Sequence, residues 1–411
     1  MDNPKIRFKG FTDAWEQRKL LEFGKATGGT SIESEFSENG IYKVISIGSY
    51  SENSIYRDQG LRAVESEKTL NRILNKGDIT MILNDKTTSG NIIGRVLLIE
   101  KSGVYVYNQR TERIELDSNN YDSQFIYTML NAPQIRDKII KQSQGNTQIY
   151  VNWPTISQTE YFVPHIKEQQ QIGHYFRHLD YLITLHQRKC DKIKELKKYM
   201  LQKMFPQNDM NVPKIRFAGF TDVWEQRKLI DICDYVDYRG KTPTKTETGI
   251  FLVTAKNVKN GYIDYECSKE FISENDYEEV MHRGKPEIGD ILITTEAPCG
   301  NVAQVNTINI ALAQRIIKYR GHKNIIDNTY LKHYLLSPIF QKLLFEKSSG
   351  GTVQGIKGSI LHQQNIQYPT FDEQIKIGQY LNNIDHFITL HQRKLEKLKN
   401  IKKFILQYMF I

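Results

Sequence analysis

The stretch Pro4-Lys-Ile-Arg-Phe-Lys-Gly-Phe-Thr-Asp-Ala-Trp-Glu-Gln-Arg-Lys-Leu20 is written twice. It returns as Pro213 to Leu229 with two of 17 positions changed, Lys9 against Ala218 and Ala14 against Val223. A second block, Glu168 to Phe205, returns as Glu373 to Phe410 with 21 of 38 positions identical. Its centre, Ile183 to Lys189, reappears unchanged as Ile388 to Lys394. Between the blocks lie 147 residues (21–167) and 143 residues (230–372) that barely match. A few anchors survive in them: Gly77-Asp78-Ile79 against Gly289-Asp290-Ile291, Gln109-Arg110 against Gln314-Arg315, and Gly145 with Thr147 against Gly350 with Thr352. A solenoid would repeat every ~20–50 residues, so that class is excluded. A near-constant frame around two divergent inserts reads as one job done twice on two different targets.

The second block predicts a helix. Ile172, Leu179, His186, Ile193 and Met200 fall every seven residues, with Tyr175, Leu182 and Leu196 on interleaved positions. The later copy gives Ile377, Ile384, His391, Leu398 and Ile405, with Tyr380, Phe387 and Ile401 interleaved. Heptad spacing marks helices packed along a seam. Neither block contains an internal Pro, and Pro206 and Pro213 close the first copy. Such a helix spans roughly 57 Å. One helix cannot bury this seam alone, so the two copies are expected to pair antiparallel about a pseudo-two-fold axis. His186 and His391 then sit at equivalent seam positions, where a polar residue sets register or serves a pH-sensing or ligand role.

The inserts carry β-type runs at Tyr42–Ile47, Ile79–Leu83, Ile250–Val253 and Ile291–Thr295, then helical stretches at Ser123–Lys141 and Thr329–Lys347. The expected fold is α+β: two mixed α/β domains joined by two long helices in an antiparallel coiled coil. The expected segments are a first head (1–165), a first spacer helix (166–206), a second head (207–370) and a second spacer helix (371–411).

Hydrophobic residues make up 39% of the 411, enough for two such cores, and the formal charge is +9 with a pI near 9.0. That balance suits an anionic partner or a solvated basic surface. Residues 166–205 hold nine Lys/Arg against four Asp/Glu, and 371–411 hold seven against four, so +8 of the charge lies on the helices. The four cysteines, Cys190, Cys233, Cys267 and Cys299, form no Cys-x-x-Cys pair, which argues against a zinc knuckle or disulfide framework. The polar first residues do not read as a signal peptide, and no stretch approaches the ~20 apolar residues of a membrane helix. A reducing cytoplasm is the expected setting.

Base reading needs a few placed side chains rather than a large net charge. In the first insert, Asn84 to Gly90 follows a strand and offers Lys86, Thr87 and Ser89, while Tyr105 to Arg110 offers Tyr107, Gln109 and Arg110. In the second, Tyr238 to Thr242 offers Arg239 and Lys241, Lys256-Asn257 follows, and Gln314-Arg315 matches the first pair. Arg or Lys bridges guanine O6 and N7, and Asn or Gln bridges adenine N6 and N7. Because the Gln-Arg pair is shared, it suits common scaffold or backbone contact better than target discrimination.

The order frame–variable–helix, given twice, resembles the specificity subunits of Type I restriction–modification enzymes. So do Trp15 to Leu20 and Trp224 to Leu229, the Gly-Asp-Ile turns, the Gly-x-Thr loops, and Glu168-Gln169 and Glu373-Gln374 opening the helices. The resemblance covers essentially the whole chain. It implies two target-recognition domains, each reading one half of a split double-stranded DNA site in the major groove. It also implies that the helices dock two methyltransferase subunits, which in turn hold ATP-driven restriction subunits. S-adenosylmethionine, ATP and Mg would then be cofactors of those partners only, with none on this chain and no membrane partner. Half-sites of dimeric readers lie about 34–36 Å apart, within the reach of helices this long.

Two other readings stand beside it. An adenine methyltransferase would need an Asn/Asp-Pro-Pro-aromatic motif, and Asn131-Ala-Pro-Gln134 lacks the second Pro and the ring. No Walker lysine motif occurs, so intrinsic catalysis is not expected. A coiled-coil adaptor with two protein-binding heads is the second alternative, against which the confinement of divergence to the heads argues.

Overall fold

Each Glu-Gln-Arg-Lys tetrad becomes a short strand that closes its own half of the chain. Glu16–Lys19 pairs antiparallel with Glu160–Val163, and Glu225–Lys228 with Asn365–Tyr368. The computed structural model describes residues 4–207, 210–238, 243–350 and 354–410. It divides into two compact units, one running to Gln187 together with Arg393 onward, the other Arg188–Gln392.

In the first unit a four-stranded antiparallel sheet runs in the order Gly24–Gly28, Thr111–Leu116, Ile79–Ile82, Val96–Leu98. A smaller sheet orders Arg62–Ala63, Tyr42–Ile45 and Tyr105–Tyr107, the last two parallel. The second unit repeats both. Its main sheet is Cys233–Asp237, Ile316–Gly321, Ile291–Thr295, Cys299–Gln304, and in its second sheet Ile250–Val253 runs parallel to Ile310–Leu312. The expected helical stretches each resolve into two helices, Ser123–Leu130 and Pro133–Ile140, then Asn328–Leu335 and Pro338–Lys347. Pro133 and Pro338 force the break, since a proline fits the first turn of a helix but not its interior.

The long helices are Ile166–Lys203 and Phe371–Met409. The units do not follow the four expected segments, because both helices are shared between units at their middles. Each unit holds the first half of one helix against the last half of the other. In the first unit the rings of Phe176 and Phe410 lie 6.0 Å apart and Asp180 meets Lys402 at 2.6 Å, so one numbering falls as the other rises. In the second unit Lys197 meets Asp385 at 2.5 Å, the same pair with its roles exchanged.

The seam corrects the interleaved positions. Cys190 and Leu395 are 1% and 8% exposed, whereas Leu196 and Phe387 are 41% and 52% exposed. At about 100° per residue, a step of four lands about 40° from the starting line and a step of three about 60°. The buried partners of Ile172 and Ile377 are therefore Phe176 and Leu381, not Tyr175 and Tyr380.

Frame residues hold helix to head identically in both units. The Arg7 guanidinium donates twice to Glu168 at 2.7 Å, and Arg216 donates twice to Glu373 at 2.8 Å. Buried Gln169 accepts from the Asp122 N–H and donates to the Asn120 and Pro164 carbonyls. Gln374 does the same with Asp327, Ile325 and Pro369. Near-identity of these blocks thus follows from specific buried polar bonds, which tolerate no unpartnered atom.

Candidate nucleic-acid interface

Three loops meet at one end of the main sheet in each unit. In the first, the Leu83 N–H donates to Arg110 O and the Val151 N–H donates to Leu83 O, both at 2.9 Å. In the second, Thr295 donates to Arg315 O and Ile356 to Thr295 O, again at 2.9 Å. The loop after the central strand, the Gln-Arg turn and the loop after the helix pair are thereby tied together, twice, by the same bonds.

The Gln-Arg turn explains its own repetition. Arg110 and Arg315 adopt φ of +70° and +74°, left-handed conformations that are uncommon for a side chain of this size. Such strain gathers at functional sites. Both side chains are exposed. Arg315 lies 3.6 Å from the Glu296 carboxylate, and Gln109 donates to Glu33 at 3.3 Å. In the adjacent loop Asp85 is buried and receives the Thr87 N–H and hydroxyl, and Thr87 in turn meets the Ser89 hydroxyl at 2.6 Å. Lys86, Thr87 and Ser89 are all exposed on this shelf. At the opposite end of the central strand the turn is fixed by Gly77 at φ +95°, with Asp78 taking the Asn75 N–H and Arg113. In the second unit burial works against the charge of Asp290, yet Arg320 and the Glu287 N–H hold its carboxyl below the usual range.

Two expected contact residues are corrected. Tyr107 is fully buried, its ring under the Arg72 guanidinium at 5.3 Å and its hydroxyl accepting from Arg72. Asn257 is also fully buried, accepting from the Thr254 N–H and donating to the Asp264 and Ser268 carbonyls. Both hold the scaffold: one lies on an inner strand face and the other caps a turn. Lys256 remains exposed beside Asn257, and Gln314 is half-buried next to Arg315. Arg239 and Lys241 lie outside the described residues.

The sequence reading passed over Asn146 and Gln148. They are exposed on the loop between Gln144 and Tyr150, which is closed by paired backbone bonds at 2.9 Å. The available signal was Gly145: at φ +104° an added Cβ would stand 2.1 Å from the Gln148 carbonyl.

Glu112 also departs from ordinary chemistry. It is 5% exposed on the strand facing Gly28, and burial pushes its carboxyl up to about 7 against the pull of Arg72. The repeat places Ile317 at the equivalent strand position. A raised carboxylate pKa costs stability as pH climbs from the ordinary value to the folded one, and the full cost stands above about 7. Glu112→Gln is therefore expected to stabilise the first unit by on the order of 3 kcal/mol at pH 8 and hardly at all at pH 4.5. Thermal melts at both pH values check it, and an equal shift at both would refute the charge argument.

The family described as Type I restriction modification DNA specificity domain matches residues 12–195 and 221–400, one copy per half. The chain belongs to that family. Among curated relatives, it is 27% identical over 193 residues to the MjaVIII specificity subunit of Methanocaldococcus jannaschii, covering 46% of this chain and 44% of that one. It is 29% identical over 199 residues to the MjaIX specificity subunit of the same organism, with the same shares. These matches span somewhat under half the length of each curated relative. The fold of a Type I S subunit from M. genitalium covers 100% of this chain and 99% of that one, at 16% identity and a TM-score of 0.65. A chain from a Type I restriction–modification assembly study gives a TM-score of 0.52 with 96% coverage of both chains. As in those specificity-domain folds, the two heads here are mixed helix and sheet. No helix among the described residues is long and apolar enough to cross a membrane.

Proposed function

We propose that this chain is the non-catalytic DNA-reading subunit of a Type I restriction–modification complex, each head reading one half of a split site. The observation that carries the reading is the twice-built junction of three loops. The backbone bonds are the same in both units, while the side chains displayed differ: Lys86, Ser89 and Gln148 in one, Glu296 and Ser349 in the other. A constant cradle with variable contents suits two different targets and gives a structural adaptor no advantage.

Methyltransferase subunits, two by the symmetry of the repeat, are the proposed partners of the long helices. Tyr199 and Phe404 are 50% and 55% exposed there, at positions equivalent in the two copies. Such exposed rings are enriched at protein interfaces. S-adenosylmethionine, ATP and Mg belong to the partner subunits in this reading, and the complex is cytoplasmic.

Methylome sequencing of a methylation-free host that expresses the chain with its methyltransferase tests the reading. Two short specified halves around a fixed unspecified spacer are expected. A stable complex that deposits no modification would favour the adaptor. In a salt titration of DNA binding Arg110→Ala is expected to weaken affinity for any duplex alike and to lower the slope of log affinity against log salt by about 0.9, as loss of one backbone contact would. Arg110→Gly should weaken affinity equally while raising stability by up to about 1 kcal/mol, because glycine adopts this φ without strain. Unchanged DNA binding by Arg110→Ala removes Arg110 from the interface.

A further inference from the structure

The first long helix turns Lys194, Lys197 and Lys198 into a cavity of about 240 Å³ in the second unit, walled on its far side by Asn260, Leu336 and Gln341. Lys197 is engaged by Asp385. Lys194 and Lys198 are exposed, and neither has an ion-pair partner among the described residues. Like charges four apart on a helix repel, a cost that a bound anion would reverse.

The cavity shares its walls with the candidate interface. The Gln341 amide donates to Gly300 O at 3.0 Å, at the start of the strand that follows the Glu296 loop. Asn260 sits in a hairpin whose Gly261 N–H donates to Val302 O at 2.7 Å, while Asn301 donates to Val258 O at 2.8 Å. The cavity wall and the three-loop junction are thus joined through one strand, Cys299–Gln304. The first unit contains the same parts. Lys399 and Lys403 occupy the equivalent helix positions, and Arg136 binds the Gly90, Asn91 and Ile93 carbonyls where Gln341 binds Gly300.

We propose that Lys194 and Lys198 hold backbone phosphates of the DNA flanking the half-site under the second head, an inference that rests on the DNA-reading function above. Flexible ammonium groups contact phosphate without regard to sequence, so these residues add affinity and fix register rather than choose bases. A protein partner fits the cavity less well, because the cores of protein interfaces are depleted in lysine.

The test is salt-dependent binding of a 40-base-pair duplex of arbitrary sequence to the complex of this chain with its methyltransferase subunits. Each phosphate contact contributes about 0.9 to the slope of log affinity against log salt. Lys194→Gln with Lys198→Gln is expected to lower that slope by about 1.8, with the complex still assembled. Lys228→Gln with Lys323→Gln removes two equally exposed charges elsewhere in the unit and should leave the slope unchanged. A wild-type complex that binds no duplex would overturn both the DNA reading and this site. A wild-type complex that binds, with an unaltered slope in the cavity variant, would overturn the site alone. Equal slope losses in the two double variants, or loss of the methyltransferase subunit from the cavity variant, would also overturn it.

Discussion

Arg216→Ala is expected to lower the unfolding free energy of the second unit by about 3–5 kcal/mol. Glu373 has no exposed side-chain surface, and its two oxygens each take one donor of the same guanidinium at 2.8 Å. Removing the arginine leaves a buried carboxylate without its counter-charge, whereas removing both partners leaves only a gap to repack. Arg216→Met with Glu373→Met should therefore recover much of the loss. Urea titration followed by circular dichroism reads both. A loss below about 1 kcal/mol for the single variant would show that water reaches the carboxylate and that the pair is a surface contact. Arg7→Ala should behave alike in the first unit, where Glu168 is 1% exposed.

Phe410→Ala is expected to cost the first unit about 3–5 kcal/mol. Its ring lies 5.7 Å from Phe125, 6.0 Å from Phe176 and 6.4 Å from Trp15, so alanine would open a void in the centre of an aromatic cluster. Phe205→Ala should do the same to the second unit, against Trp224, Tyr330 and Tyr334. Scanning calorimetry distinguishes the two, because each variant is expected to move the transition of one unit. If Phe410→Ala moved only the second unit's transition, the assignment of the C-terminal segment to the first core would be wrong.

The frame was legible in the sequence because repetition made it so. The long helices Ile166–Lys203 and Phe371–Met409, the Gly-Asp-Ile turns and the strands Ile250–Val253 and Ile291–Thr295 follow from periodicity and turn chemistry. The interleaved seam is ambiguous in the sequence because apolar residues stand both three and four positions after Ile172, Leu179, Ile377 and Ile384, and only packing chooses between Tyr175 and Phe176. The candidate interface was half legible. Exposed Lys86 and Arg110 stand where loop chemistry placed them, but Tyr107 is drawn inward under Arg72, distant in sequence, and Asn257 is drawn inward by the turn it caps. Asn146 and Gln148 were hidden because nothing in a short polar run says which loop it will lie beside.

The aromatic plugs Phe205 and Phe410 carry a historical consequence. Phe410 is encoded in the half that builds the second head, yet it completes the core of the first, and Phe205 does the reverse. A lone half of this chain would leave its plug in water and its own tryptophan core unfilled unless two copies exchanged plugs. The duplicated protein thus has the anatomy of a homodimer whose subunits were joined by gene doubling. Two identical subunits could present only the same surface twice. Within one chain the two inserts are free to differ while the plugs, glutamates and glutamines of the frame stay the same.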